Sequence, residues 1–220
     1  MKIIQLPSGS KFYQTPCGLF PSVTTILKAT MAENQQKRLR NWHERNGSNS
    51  ETLRQQATER GKAIHRLIEA RFKGEEIECP PELTEFWEEA RKILGAIGEV
   101  SAIEKPVYHP QLQYAGTLDL LAHWQGLLTL FDFKTSYREK RAQWLTDAQL
   151  QIAAYRGAYE SLFGLSIPQG LIVVITPNTV QLFTLLKEEL EDYWQQWLSR
   201  REKYQSLELY GQLFCPIMRK

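Results

Sequence analysis

Polar and apolar residues alternate through "KIIQL" and again through "KFYQT", with "PSGS" between them, and this pattern predicts a small β-hairpin at the start of the chain. Ser22 then precedes "VTTILKA", as an N-cap precedes a short helix. Helical spacing follows over residues 32–44 and 50–73, broken by the Gly/Ser/Asn-rich "RNGSNS". A further helix is expected over 82–97, where Leu83, Phe86, Trp87, Ala90 and Leu94 fall on one side.

Beyond about residue 100 the period changes. "SAIEKPVYH", "YAGTLDLLAHW", "LLTLFDFKT", "GLIVVIT" and "TVQLFTLL" are β-type runs separated by Gly, Pro and Asn. A helix over 143–163 lies between the third and fourth runs, and a last helix covers 187–204. The order βββαββα after a helical region predicts an α/β fold with a central mixed sheet flanked by helices. One domain is expected over residues 1–220: about 1–100 form the N-terminal hairpin and helical lobe, and about 101–220 the α/β core.

Composition narrows the function without naming it. With 220 residues, 42% hydrophobic and 24% charged, the chain is ordinary globular material. No stretch reaches the roughly 18 apolar residues of a membrane span, and the first twenty residues lack signal- or transit-peptide character, so a cytoplasmic protein with no membrane partner is expected. Cys17, Cys79 and Cys215 are too scattered for a disulfide framework or a zinc or iron–sulfur site. The net charge of +2 does not by itself argue for nucleic acid. Local clusters do better: "KRLRNWHER" contains Arg38, Arg40 and Trp42, and "KTSYREKRAQW" contains Ser136, Arg138, Arg141 and Trp144. Each joins cations to an indole able to stack on an unpaired base, or is simply a solvated face.

The chemistry is concentrated in "GTLDLLAHWQGLLTLFDFKTS". A two-residue turn at Gln125-Gly126 would pair His123 with Leu128, Leu121 with Leu130 and Asp119 with Asp132. Two carboxylates would then be directly opposed, with β-carbons roughly 4.5–5.5 Å apart, a destabilising arrangement unless something neutralises it. Lys134 would pair with Thr117 and share the face of Asp132. Hard oxygen donors on a hairpin suit Mg²⁺ or Mn²⁺. An Asp–Lys surface salt bridge is the alternative.

These residues resemble the PD-(D/E)xK nuclease superfamily, in its RecB-like branch. Four motifs occur in the family's order: Gly61, His65 and Glu69 in "RGKAIHRLIEA"; Gly116 to Asp119; Asp132-Phe133-Lys134; and Gln151 to Tyr155 in "QIAAY". The likeness spans residues 21–184. Within the branch it is greatest to the mitochondrial genome maintenance exonuclease type, through "PSVT", the hairpin and the helix containing "AAYRGA". Leu118 stands where the superfamily nominally has Pro, and a C-terminal cysteine run is absent, so no iron–sulfur cluster is expected.

The resemblance implies a restriction-endonuclease-like core in which His65, Asp119, Asp132 and the Phe133 carbonyl hold Mg²⁺ or Mn²⁺. Lys134 would orient the attacking water, and Gln151 and Tyr155 would contact phosphate or support the lysine. His65 and Glu69, four apart on one helical face, can meet, so that Glu69 would orient the imidazole. Glu104 is either another acid of the site or a charged edge-strand position. The implied activity is metal-dependent DNA exonuclease action in repair, replication or recombination, leaving 5′-phosphates. It would start from free ends of single-stranded DNA threaded under a helical arch, in a monomer working with other replication or repair proteins. A Cas4-like or restriction-type endonuclease and a non-cleaving binding module are the alternatives.

Overall fold

The computed structural model describes residues 1–214; Cys215 lies outside them. The expected N-terminal hairpin is present as β1 (Lys2–Gln5) and β2 (Lys11–Thr15), and a third antiparallel strand, β3 (Gly18–Pro21), extends it. That strand is too short to show alternation. It is turned back onto β2 by Thr15, whose hydroxyl donates to the Gly18 carbonyl and accepts from the Cys17 N–H. Tyr13 and Phe20 of this small sheet pack on Ala115, so it is fixed to the main body.

Ser22 caps α1 (Val23–Ala29), its hydroxyl accepting from the Thr25 N–H at 3.0 Å. Helix α2 (Glu33–Asn46) buries no residue. The "GSN" break winds as a 3₁₀ turn, Gly47–Asn49, before α3 (Ser50–Lys73), which buries Ile64, Leu67, Ile68 and Ala70, all in its second half. The N-terminal region thus has two characters: α2 and the first half of α3 project, whereas the rest packs on the core. Helix α4 (Thr84–Leu94) is shorter than expected. It is preceded by the 3₁₀ turn Pro81–Leu83, and it ends where the Ala96 and Ile97 N–H groups take the Ile93 and Leu94 carbonyls in tight turns.

The central sheet has the order β4-β5-β6-β7-β8, formed by Val100–His109, Tyr114–Trp124, Leu127–Thr135, Gln169–Ile175 and Val180–Leu185. Only β6 and β7 are parallel, as the intervening crossover helix α5 (Thr146–Phe163) requires. The expected mixed sheet is therefore observed. Ala142–Trp144 forms a 3₁₀ turn, which delays α5, and α6 (Lys187–Phe214) outruns its expected end.

Helices α1, α5 and α6 cover one face through residues such as Ile26, Ile152 and Trp197, against Leu118, Leu130 and Ile172. On the other, Ile64 and Leu67 of α3 and Phe86 and Ala90 of α4 meet Leu120, Phe131, Phe133 and Val173. Strand β7 is buried at every position, which explains its unbroken apolar run.

One irregularity positions the site. Leu118 and Leu120 face opposite cores although they are two apart, so strand alternation fails at Asp119. Opposite it, Glu104 has the left-handed φ of 42°. The β4–β5 ladder pairs Lys105 with Leu118 and Ile103 with Leu120 but skips the position between them. Two carboxylates are thereby turned out of the ladder at the same point.

Candidate active site

The hairpin turn is as expected: Gln125 and Gly126 both have positive φ, 52° and 83°, as a type I′ turn requires. Pairing follows the expected register from Trp124–Leu127 to Leu120–Phe131 and then stops. Asp119 and Asp132 are not a ladder pair, and Thr117 pairs with Pro106 on β4, not with Lys134. The reason is local. The Asp119 Oδ2 accepts the Phe133 N–H at 2.8 Å, so a side-chain oxygen takes the place of a ladder carbonyl and the strands part before the acids can face one another.

Two linked clusters fill the gap. In the first, His65 reaches across from α3. Its Nδ1 lies 3.2 Å from Glu104 Oε1 and 3.8 Å from Asp119 Oδ1, and its Nε2 lies 3.0 Å from the Phe133 carbonyl oxygen. One ligand atom from each of His65, Glu104 and Asp119 falls within 4.8 Å of the others. In the second, the Lys134 ammonium donates to Asp132 Oδ1 at 2.7 Å and to Gln151 Oε1 at 3.1 Å. The other oxygen of Asp132, Oδ2, is buried with no hydrogen-bond partner.

Tyr155, one turn beyond Gln151 on α5, packs its ring on Gly116 so tightly that a β-carbon there would lie 2.3 Å from the ring. Glycine at 116 is thus what lets α5 approach β5. From the other side Tyr13 of β2 brings its hydroxyl to 3.0 Å from Thr117 Oγ1.

The electrostatics show which charges the fold tolerates. Burial opposes a charged His65, but Asp119, the hydrogen bonds to Glu104 and Phe133, and the charge of Glu104 outweigh it and lift the imidazole to about 9. Burial raises Asp132 to about 6 despite Lys134, and nearby Asp119 adds to the rise. Asp119 is also raised, burial exceeding the pull of His65 and Lys134. Lys134 is held above its usual range: burial works against its charge, and Asp132 and Asp119 overcome it. Three carboxylates thus face two cations across a largely buried gap. The arrangement favours a further positive charge, and a carboxylate oxygen is left free to meet it.

No family model matches the sequence. Curated relatives do. The chain is 33% identical over 198 residues to mitochondrial genome maintenance exonuclease 1 of Mus musculus, 30% identical over 200 residues to that of Homo sapiens, and 32% identical over 205 residues to that of Xenopus tropicalis. Its relatives are exonucleases. The matches cover 84–85% of this chain but 58% of each relative, so the chain spans little more than half their length.

Of the residues the sequence singles out, the fold brings His65, Asp119, Asp132, Phe133, Lys134 and Gln151 into one continuous set of contacts, with Tyr155 behind it. Glu69 does not orient His65: its carboxylate is 2.6 Å from Lys73 one turn on, and Glu104 holds the imidazole instead. Sequence reasoning left Glu104 undecided because nothing in "IEKP" marks a left-handed residue, and it passed over Tyr13, whose burial in an alternating strand was its only signal.

The candidate nucleic-acid residues are dispersed. Arg38 and Arg40 are exposed on α2, where Trp42 is half-buried against the His43 ring. Arg141 sits 5.5 Å over the ring of exposed Trp144, and Arg138 is exposed. Ser136 is buried, and its hydroxyl both donates to the Arg138 carbonyl and accepts from the Arg138 N–H, which commits it to building that turn. An open cleft of about 650 Å³, lined by Glu59, Gly61, Lys62, His65, Arg66, Glu69 and Glu104, reaches the His65–Glu104 pair. Among the described residues no helix is long and apolar enough to cross a membrane.

Proposed function

We propose that the chain is a divalent-metal-dependent DNA exonuclease of the PD-(D/E)xK superfamily, with a restriction-endonuclease-like core, acting from free ends of single strands. The observation that carries this reading is the buried, unpartnered Asp132 Oδ2 beside a Lys134 ammonium, next to a group in which His65, Glu104 and Asp119 converge. An orphan carboxylate oxygen among hard oxygen donors, with one imidazole that gives up its extra proton when a cation takes its place, fits Mg²⁺ or Mn²⁺. Asp119, Asp132, Glu104, His65 and the Phe133 carbonyl are the residues that would hold it. Such an ion, when bound, supplies Lewis acidity to a phosphate oxygen and to water.

The protein's own groups complete the chemistry. Lys134, steadied by Asp132 and Gln151, keeps its charge and stabilises the negative charge that builds on the phosphoryl oxygens. Tyr155 closes the back of the site and keeps its proton, because burial and the neighbouring Asp119 both raise its pKa. His65 ties α3 to the strands that carry the acids, and α2 and the first half of α3 project from the same region. We read those helices, with Arg38, Arg40 and Trp42, as an arch that admits a flexible strand by its tip, while Arg138, Arg141 and Trp144 meet the strand on the core side.

The test is digestion of end-labelled linear single strands, the same sequence closed into a circle, and duplex, each with Mg²⁺, Mn²⁺ or EDTA. Linear strands alone should be degraded, and only with metal. Equal rates on circle and linear strand would favour the endonuclease reading; binding without cleavage under any metal would leave a binding module.

A further inference from the structure

A second cleft, of about 490 Å³, opens between the middle of α3, the Pro81–Leu83 turn and the segment just after β6. Its lining includes Gln56, Glu59, Arg60, Arg66, Glu82 and Tyr137. Tyr137 is the most exposed large aromatic among the described residues, at 67%. A ring left so open is usually mobile. This one is held: the Arg60 guanidinium lies 4.4 Å from its centroid, and the buried Phe86 ring meets it edge-on at 5.3 Å. Arg60 is itself fixed, 5.2 Å from the Phe86 ring and with its Nε donating to Thr135 Oγ1 at 3.3 Å.

The position of this cleft matters as much as its make-up. Thr135 follows Lys134 directly, and Arg60 precedes His65 by little more than one turn of α3. The clamped ring therefore lies against α3, which supplies the histidine, and just past the end of β6, which supplies the lysine, and its cleft shares Glu59 and Arg66 with the cleft that His65 and Glu104 line. A cluster of cation, phenol and edge-on phenyl with an open aromatic surface, bordered by amide, carboxylate and guanidinium groups, matches the π-face and polar edge of an unpaired nucleobase.

The geometry points to Tyr137, held by Arg60 and Phe86, as a stacking subsite for the base next to the phosphate placed at the acid cluster. This rests on the nuclease reading. It adds a base contact that fixes how far the strand advances, which phosphate contacts alone would not set.

The experiment uses the full chain in EDTA with single-stranded DNA of about a dozen nucleotides carrying 5-iodouracil at one position at a time. Irradiation should cross-link one or two positions to Tyr137, located by peptide mass spectrometry. Tyr137→Ala should lose that cross-link and bind the strand about tenfold more weakly, whereas Tyr137→Phe, which keeps the ring, should retain affinity. Cross-links that form elsewhere but never at Tyr137, or an alanine variant that binds as tightly as wild type, would overturn the subsite. Cleavage by wild type with Mn²⁺ separates the two ideas. Cleavage without Tyr137-dependent binding removes the subsite and keeps the nuclease; Tyr137-dependent binding without cleavage keeps a nucleic-acid subsite and removes the nuclease. A wild type that neither binds nor cuts overturns both.

Discussion

The two ends of the β5–β6 hairpin obey different rules. Toward the turn, Leu120 to Trp124 pair regularly with Leu127 to Phe131, and Leu121 and Leu130 are almost wholly buried. Toward the open end the ladder stops, and Asp119, Asp132 and Lys134 arrange themselves around one another and around His65. Backbone pairing and apolar burial are satisfied at one end. At the other they yield to charges that the apolar environment disfavours. A single supersecondary unit thus divides folding from chemistry along its length.

Breaking the charged end should produce the largest effect. Asp132→Asn and Lys134→Ala are expected to cut Mn²⁺-supported cleavage by about a thousandfold while the protein stays folded, as read by steady-state rates alongside circular dichroism. His65→Ala should leave a smaller residual defect that high Mn²⁺ partly relieves, measured by titrating activity against metal. Wild-type activity in Asp132→Asn would end the distinction between the two ends.

Breaking the paired end should act on stability alone. Leu130→Ala removes a core side chain that is 1% exposed and is expected to cost about 3 kcal/mol in urea unfolding, with activity per folded molecule retained.

A subtler contrast comes from pH in the metal-free protein. The folded-state pKa of Asp132 is raised to about 6, so the folded form holds this proton more tightly than the unfolded chain does. The resulting stabilisation is present at low pH and is lost as pH rises through about 6. Asp132→Asn in EDTA should therefore melt higher than wild type at pH 8, by a margin equivalent to about 1–2 kcal/mol that shrinks below pH 6. A margin independent of pH would show that Asp132 is not strained by its charge. The smallest effect on folding belongs to the projecting helices. Arg38→Ala and Arg40→Ala should change stability by less than about 0.5 kcal/mol, yet each should weaken single-strand binding and flatten its salt dependence by roughly 0.7 in log–log slope.

The same contrast explains what could be read in advance. Where backbone pairing and burial dominate, the sequence is explicit: Gln125-Gly126 sets the turn, the unbroken run in β7 marks a doubly covered strand, and Ser22 marks the start of α1. It is silent where a side chain overrides the backbone. Nothing in the order of residues says that the Asp119 carboxylate will accept the Phe133 N–H and end the ladder. Nor does it say that Glu104, and not Glu69, will meet His65, since the choice turns on a left-handed backbone at one residue and on the pull of Lys73 at another. The aromatic clamp around Arg60 was equally hidden, because Arg60, Phe86 and Tyr137 come from three separate segments and meet only in the folded chain.

Glu104 carries a last consequence. A glutamate with φ at 42° occupies backbone space in which glycine is more comfortable, by something on the order of 1 kcal/mol. Random substitution screened for folding alone should therefore drift toward glycine here, and only a screen that demands the reaction should bring the acid back. Position 104 is in that sense a gauge of selection: its occupant in a mutagenised library would report whether the library had been kept for its shape or for its work.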